Sequence, residues 1–118
     1  MKRVLIVEPD RSLRNQVQAM LEHHGYKVVH ALDYDDALLV LSFSRVDLLI
    51  FGRNLPEEEK PQMALELRED GIVAPIISLR AGGAQRLHPQ IDAELPCTAR
   101  RKELSACVAQ ALDGRLAA

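Results

Sequence analysis

The chain has 118 residues, the length of one domain, and its 47% hydrophobic and 27% charged residues exclude disorder by composition. Its 15 basic and 17 acidic side chains give a formal charge of -2, without the basic excess of a general nucleic-acid binder. Two tyrosines, two phenylalanines and no tryptophan are too few aromatics for a base-stacking platform.

Val4 to Val7 is a continuous apolar run bounded by Pro9, the pattern of a strand buried on both faces. From Asp10 the period changes: Leu13, Val17, Met20, Leu21 and His24 follow helical spacing, with Asp10 as the expected N-cap and Gly25 closing the segment. Tyr26 to Ala31 reads as a second strand. Asp33 then caps a helix with Ala37, Leu38 and Leu41 on its inner face. Asp47 to Phe51 is a third strand, and Gly52 to Pro56 form a loop. Pro61 fits the first turn of a third helix, where its missing N–H costs nothing. Met63, Ala64 and Leu67 give that helix its apolar stripe and Gly71 ends it. Ala74 to Leu79 is a fourth strand and Ile91 to Leu95 a short fifth, separated by the glycine- and proline-bearing stretch 81–90. Thr98 is positioned to cap a last helix lined by Leu104, Cys107, Val108, Ala111 and Leu112. Strands alternating with helices imply an α/β domain, a parallel sheet covered on both sides and reached by right-handed crossovers. No repeat or linker divides residues 1–118, so one domain is expected.

These segments, in this order, resemble the receiver domain of bacterial two-component response regulators. The likeness runs over residues 3 to about 113, through Arg3-Val-Leu-Ile-Val-Glu-Pro-Asp10, Gly25 to Val29, Ala31 to Leu38, Asp47 to Pro56 and Pro75 to Leu79. It implies a flavodoxin-like three-layer α/β/α fold with a five-stranded parallel sheet of order 2-1-3-4-5. Between Arg80 and Leu95 the chain is several residues shorter than a typical receiver, so the family's fourth helix is expected to be short or absent.

The resemblance also implies a chemistry from which this sequence departs. An active receiver phosphorylates an aspartate after its third strand. An acid pair after the first strand helps to hold magnesium, a Thr or Ser after the fourth binds the phosphoryl group, and a Lys after the fifth pairs with it. Carried over by position, the acid pair falls on Glu8 and Pro9, the phosphoacceptor on Gly52, the hydroxyl on Arg80, and the lysine on Cys97 or Pro96. Glycine has no nucleophilic oxygen, and magnesium binding needs more carboxylate than Glu8 alone. The expectation is therefore a pseudo-receiver: a non-catalytic, phosphorylation-independent signalling domain with no cofactor and no metal. Arg80, or Arg53 from the adjacent loop, is expected either to reach Glu8 and fill the site or to point into solvent.

Other constellations are weaker. His23 and His24 are adjacent and not expected to share a face, and His30 and His88 lie elsewhere, so no zinc set is expected. Cys107 falls on an apolar helix face. Cys97 lies near several arginines, which would favour its thiolate, but no CxxC spacing is present. No nucleotide or hydrolase motif follows a strand. No apolar run approaches the roughly 18 residues of a membrane span, and the start is too weakly apolar for a signal peptide, so a cytoplasmic setting without membrane contact is expected.

Charge is uneven. Residues 80–102 hold five basic side chains against two acidic, whereas residues 1–79 hold nine against thirteen. Arg100, Arg101 and Lys102 lie early in the last helix, where the macrodipole disfavours cations. The resemblance implies a partner surface on this side, so Arg86, Arg100, Arg101 and Lys102 are the expected contacts for an acidic signalling or output protein. A homodimer through the 80–112 face is a further expectation, and direct nucleic-acid binding is not expected. Two other readings compete: a small-ligand or anion sensor at Glu8, Gly52 and Arg80, and a conventional phosphorylated regulator, which the lost groups argue against.

Overall fold

The computed structural model describes residues 1–81, 88–96 and 99–114. Its elements are β1 (Arg3–Val7), α1 (Arg11–His23), β2 (Lys27–Ala31), α2 (Tyr34–Phe43), β3 (Leu48–Phe51), a 3-10 turn (Glu57–Glu59), α3 (Lys60–Glu69), β4 (Ile76–Arg80), β5 (Ala93–Pro96) and α4 (Arg101–Leu112). The five strands are parallel in the order β2-β1-β3-β4-β5, the flavodoxin-like arrangement expected. Among the described residues no helix stands between β4 and β5; residues 82–87 lie outside them.

Strand alternation divides the core. Leu5, Val7, Leu49, Phe51 and Ile76 pack on one face with Ala37 of α2 and Met63, Ala64 and Leu67 of α3. Val4, Ile6, Leu48, Ile50 and Ile77 pack on the other with Val17, Met20 and Leu21 of α1 and Leu104, Cys107, Val108 and Ala111 of α4. The central strands are therefore apolar on both faces, which is why they read as continuous runs.

The helix ends follow the sequence with two exceptions. The Asp10 carboxylate accepts from Leu13 N at 3.1 Å and that of Asp33 from Asp36 N at 2.9 Å, satisfying orphan donors as caps should. Gly25 takes φ +88°, a left-handed turn that ends α1. His24, however, is exposed at the C-cap and does not join the inner face. The last helix is entered through Arg100, whose N–H faces Glu103 Oε1 at 3.4 Å; Thr98 lies outside the described residues. Tyr34 ties α2 to α3 through a hydrogen bond with Glu66. Burial first, then that bond and the charges of Glu66, Asp70 and Asp35, push its hydroxyl pKa up to about 12.

Candidate functional site

Register gathers the site at the C-terminal ends of the strands, where Val7 pairs with Phe51, Phe51 with Ser78, and Arg80 with Pro96. Glu8, Gly52 and Arg80 leave three neighbouring strands, as parallel crossovers require. Gly52 N–H donates to Val7 O at 2.8 Å, which brings its backbone against Glu8.

Glu8 is 1% exposed and fixed at every polar atom. Its N–H donates to Ala31 O at 3.0 Å and its carbonyl accepts from the Arg14 guanidinium at 3.0 Å. Its carboxylate accepts from Asp10 N at 3.0 Å and Asn54 N at 3.3 Å, charge-assisted bonds from the two flanking loops. The side chain lies over Gly52. A Cβ at position 52 would overlap Glu8 Oε1 and stand 2.7 Å from Cδ and 2.8 Å from Cβ. Gly52 has no left-handed φ, so close approach is what this position demands of glycine. The space above the end of β3 is filled by the one carboxylate left at the site.

This corrects the expectation for Arg80. Arg80 does not reach Glu8; its guanidinium pairs with Glu94 Oε1 on β5 at 3.0 Å, with side chains 15% and 6% exposed. It does not point into solvent either. Arg53 is exposed on the loop after Gly52. Pro9 is exposed and offers no donor, Pro96 ends β5 beside Arg80, and Cys97 lies outside the described residues.

A group that the sequence reading missed stands close by. Lys60, 1% exposed, directs its ammonium to Glu57 Oε1 at 2.8 Å and to Leu79 O at 3.0 Å. The same Glu57 oxygen accepts from Ala81 N at 3.2 Å. The pair thus clasps the backbone on both sides of Arg80 and joins the end of β4 to the start of α3. The signal was present: Lys60, Met63, Ala64 and Leu67 continue one helical stripe, so position 60 had to face inward. Arg14 likewise shares the buried face of Val17 and Leu21.

The magnesium ion that the resemblance implies does not fit these residues. Both Glu8 oxygens are held by backbone N–H groups, Gly52 supplies no ligand, and the described residues contain no cluster of three metal-ligating side chains. Cys107 is buried, and burial pushes its thiol pKa up, which makes it a poor nucleophile.

A cavity among the described residues lies beside the site, and neither Glu8, Gly52 nor Arg80 lines it. About 320 Å³ opens between α1 and the start of α4, where Asp10, Arg53, Leu79, Pro96, Arg100 and Arg101 contribute to the lining. A groove beside it is lined by His23, His24, Arg101, Lys102 and Ser105 among others. The two histidines, contrary to expectation, share that groove: their rings meet edge-to-face at 5.6 Å, and His24 Nε2 lies 3.3 Å from Ser105 Oγ. Arg100, Arg101 and Lys102 are exposed and form no ion pair among the described residues, while Arg86 lies outside them.

The family model of the response regulator receiver domain matches residues 4–90. Over 79 residues the chain is 37% identical to an uncharacterized transcriptional regulatory protein, YbdJ, of Bacillus subtilis, covering 67% of this chain and 34% of that protein. It is 30% identical over 80 residues to the alkaline phosphatase synthesis transcriptional regulatory protein PhoP of the same organism, covering 68% and 33%. The chain thus spans about a third of the length of the curated relatives it matches. Among solved structures, a Francisella response regulator receiver domain superposes with TM-score 0.85 at 20% identity, covering 97% of this chain and 98% of that one. The response regulator TrrA of Thermotoga maritima, in complex with magnesium and beryllofluoride, gives 0.81 at 25% identity over 94% and 99%.

Proposed function

The chain belongs to the response regulator receiver family, and from that premise we propose that it is a pseudo-receiver, a two-component signalling module that acts without being phosphorylated. The observation that carries this reading is Glu8 packed over Gly52, in the space that an acceptor side chain would need. The clasp by Lys60 and Glu57 supports it further. A receiver switch needs the segment after β4 to move, and here that backbone is held on both sides of Arg80. A phosphoryl group would have no acceptor oxygen, no metal and no hydroxyl to draw inward. Residues 1–118 then work as one non-enzymatic unit in a single resting conformation.

Its output is protein binding, in the cytoplasm and without direct contact to DNA or membrane. No helix among the described residues is long and apolar enough to cross a membrane. Arg100, the N-cap residue, with Arg101 and Lys102 offers three exposed cations at the start of α4 that form no ion pair among the described residues, and Arg86, which lies outside them, is the fourth candidate contact. They suit an acidic signalling or output protein, with charge steering the encounter. The relatives named as transcriptional regulators suggest a pathway ending in gene expression, which this chain would reach through its partner. A second reading has one observation in its favour: Arg53, Arg100 and Arg101 around the 320 Å³ cavity could hold a small anion. A ligand of the native state would raise the melting temperature, so an anion screen separates it from the first.

The test of the main reading is an amide NMR spectrum with magnesium and beryllofluoride, a phosphoryl mimic. Unchanged Gly52, Arg80 and Ala81 resonances are expected. Shifts centred on those residues would overturn the proposal.

A further inference from the structure

Helix α2 is apolar on both sides. Ala37 is buried, and Tyr34, Leu38, Val40 and Leu41 pack partly buried against the core. On the opposite line Leu39 is 60% exposed and Phe43, one turn later, 72% exposed, with Leu32 at the helix entry 49% exposed. A surface helix carries polar residues on that side, and one that is apolar all round is normally covered. Charge flanks this apolar line: exposed Asp35 lies one turn before Leu39 on the same side, and exposed Arg45 follows the C-cap Ser44 at the other end of the helix. Neither forms an ion pair among the described residues.

We propose that this face of α2 is the two-fold interface of a homodimer, its occupant being α2 of a second copy. Antiparallel apposition places Asp35 of each copy near Arg45 of the other and lays Leu39 and Phe43 of both in one seam. It also sets the helix dipoles in opposition, head to tail. The patch is self-complementary, as an isologous interface must be, and the contact closes at two copies. Charge preference at the two helix ends would account for Asp35 and Arg45 alone, but not for the apolar line between them. The surface is distinct from the Arg100–Lys102 region: α2 packs with one core cluster and α4 with the other, across the sheet. One helix face is smaller than the roughly 800 Å² per partner of a standard interface, the size class of weak and transient contacts, so the dimer is sought over a wide concentration range.

Sedimentation equilibrium of the chain, from about 1 to about 500 µM, reads this directly. A monomer–dimer equilibrium is expected, with Phe43→Glu monomeric throughout. Asp35→Arg and Arg45→Asp should each weaken the dimer severalfold, and the double variant should restore it. Arg100→Glu with Arg101→Glu should leave it intact. All these side chains are exposed, and far-ultraviolet circular dichroism checks that each variant is folded. A wild-type monomer at every concentration, a dimer indifferent to Phe43→Glu, or no rescue by the double charge swap would each overturn the proposal. The pseudo-receiver reading stands or falls separately, on the phosphoryl mimic.

Discussion

Adding one methyl group at Gly52 probes the filled site most sharply. In Gly52→Ala the new Cβ would overlap Glu8 Oε1 and lie 2.7 Å from Cδ and 2.8 Å from Cβ, closer than such atoms come. Two relaxations are open. The backbone can shift, at the cost of overpacking, about 1–3 kcal/mol. Alternatively the carboxylate can swing out, and its bonds to Asp10 N and Asn54 N, each worth about 1.5–3 kcal/mol with a charged acceptor, are lost. Because Glu8 Cβ is also in the way, side-chain rotation alone does not clear the space. The expected loss is therefore about 2–4 kcal/mol, a large part of the 5–15 kcal/mol that holds a domain together. Urea unfolding in a double-mutant cycle with Glu8→Gly measures it, and removing that side chain should abolish most of the penalty. A loss below about 0.5 kcal/mol, the level of an ordinary surface substitution, or the same loss in both backgrounds would refute the reasoning.

Lys60→Met should cost about 1–3 kcal/mol by leaving Leu79 O without its buried donor, and should raise amide hydrogen exchange at Ala81 as the clasp opens. Unchanged exchange there would remove the clasp from the account. The tyrosine prediction concerns alkaline pH. Because the Tyr34 pKa is raised from 10.0 to about 12, the native state holds this proton more tightly than the unfolded chain does. Its contribution to stability is thus complete below pH 10 and lost as pH rises through 12. Tyr34→Phe should remove that part of the alkaline loss, and also the latest phase of the tyrosinate absorbance titration.

The fold was legible because its signals were local and consistent. The runs Val4–Val7 and Leu48–Phe51 are apolar at every position since helices cover both sides of the sheet, and Asp10, Asp33 and Gly25 punctuate the helices as their chemistry predicts. The departures of Pro9, Gly52 and Arg80 from the receiver pattern were also legible, since position alone defines them. What replaces the missing chemistry was not. Whether Arg80 pairs with Glu8 or Glu94 depends on strand twist and side-chain direction, and Glu94 is 14 residues away in sequence. For Lys60 the helical stripe gives the inward direction but not the partners, one of them a backbone carbonyl 19 residues away. The histidines met because His24 leaves the helix at its C-cap, where helical spacing no longer sets direction.

The central claim is that this receiver accepts no phosphoryl group. Incubation with acetyl phosphate and magnesium, followed by intact mass measurement, tests it most directly. An unchanged mass is expected; a stable gain of one phosphoryl group would overturn the pseudo-receiver reading.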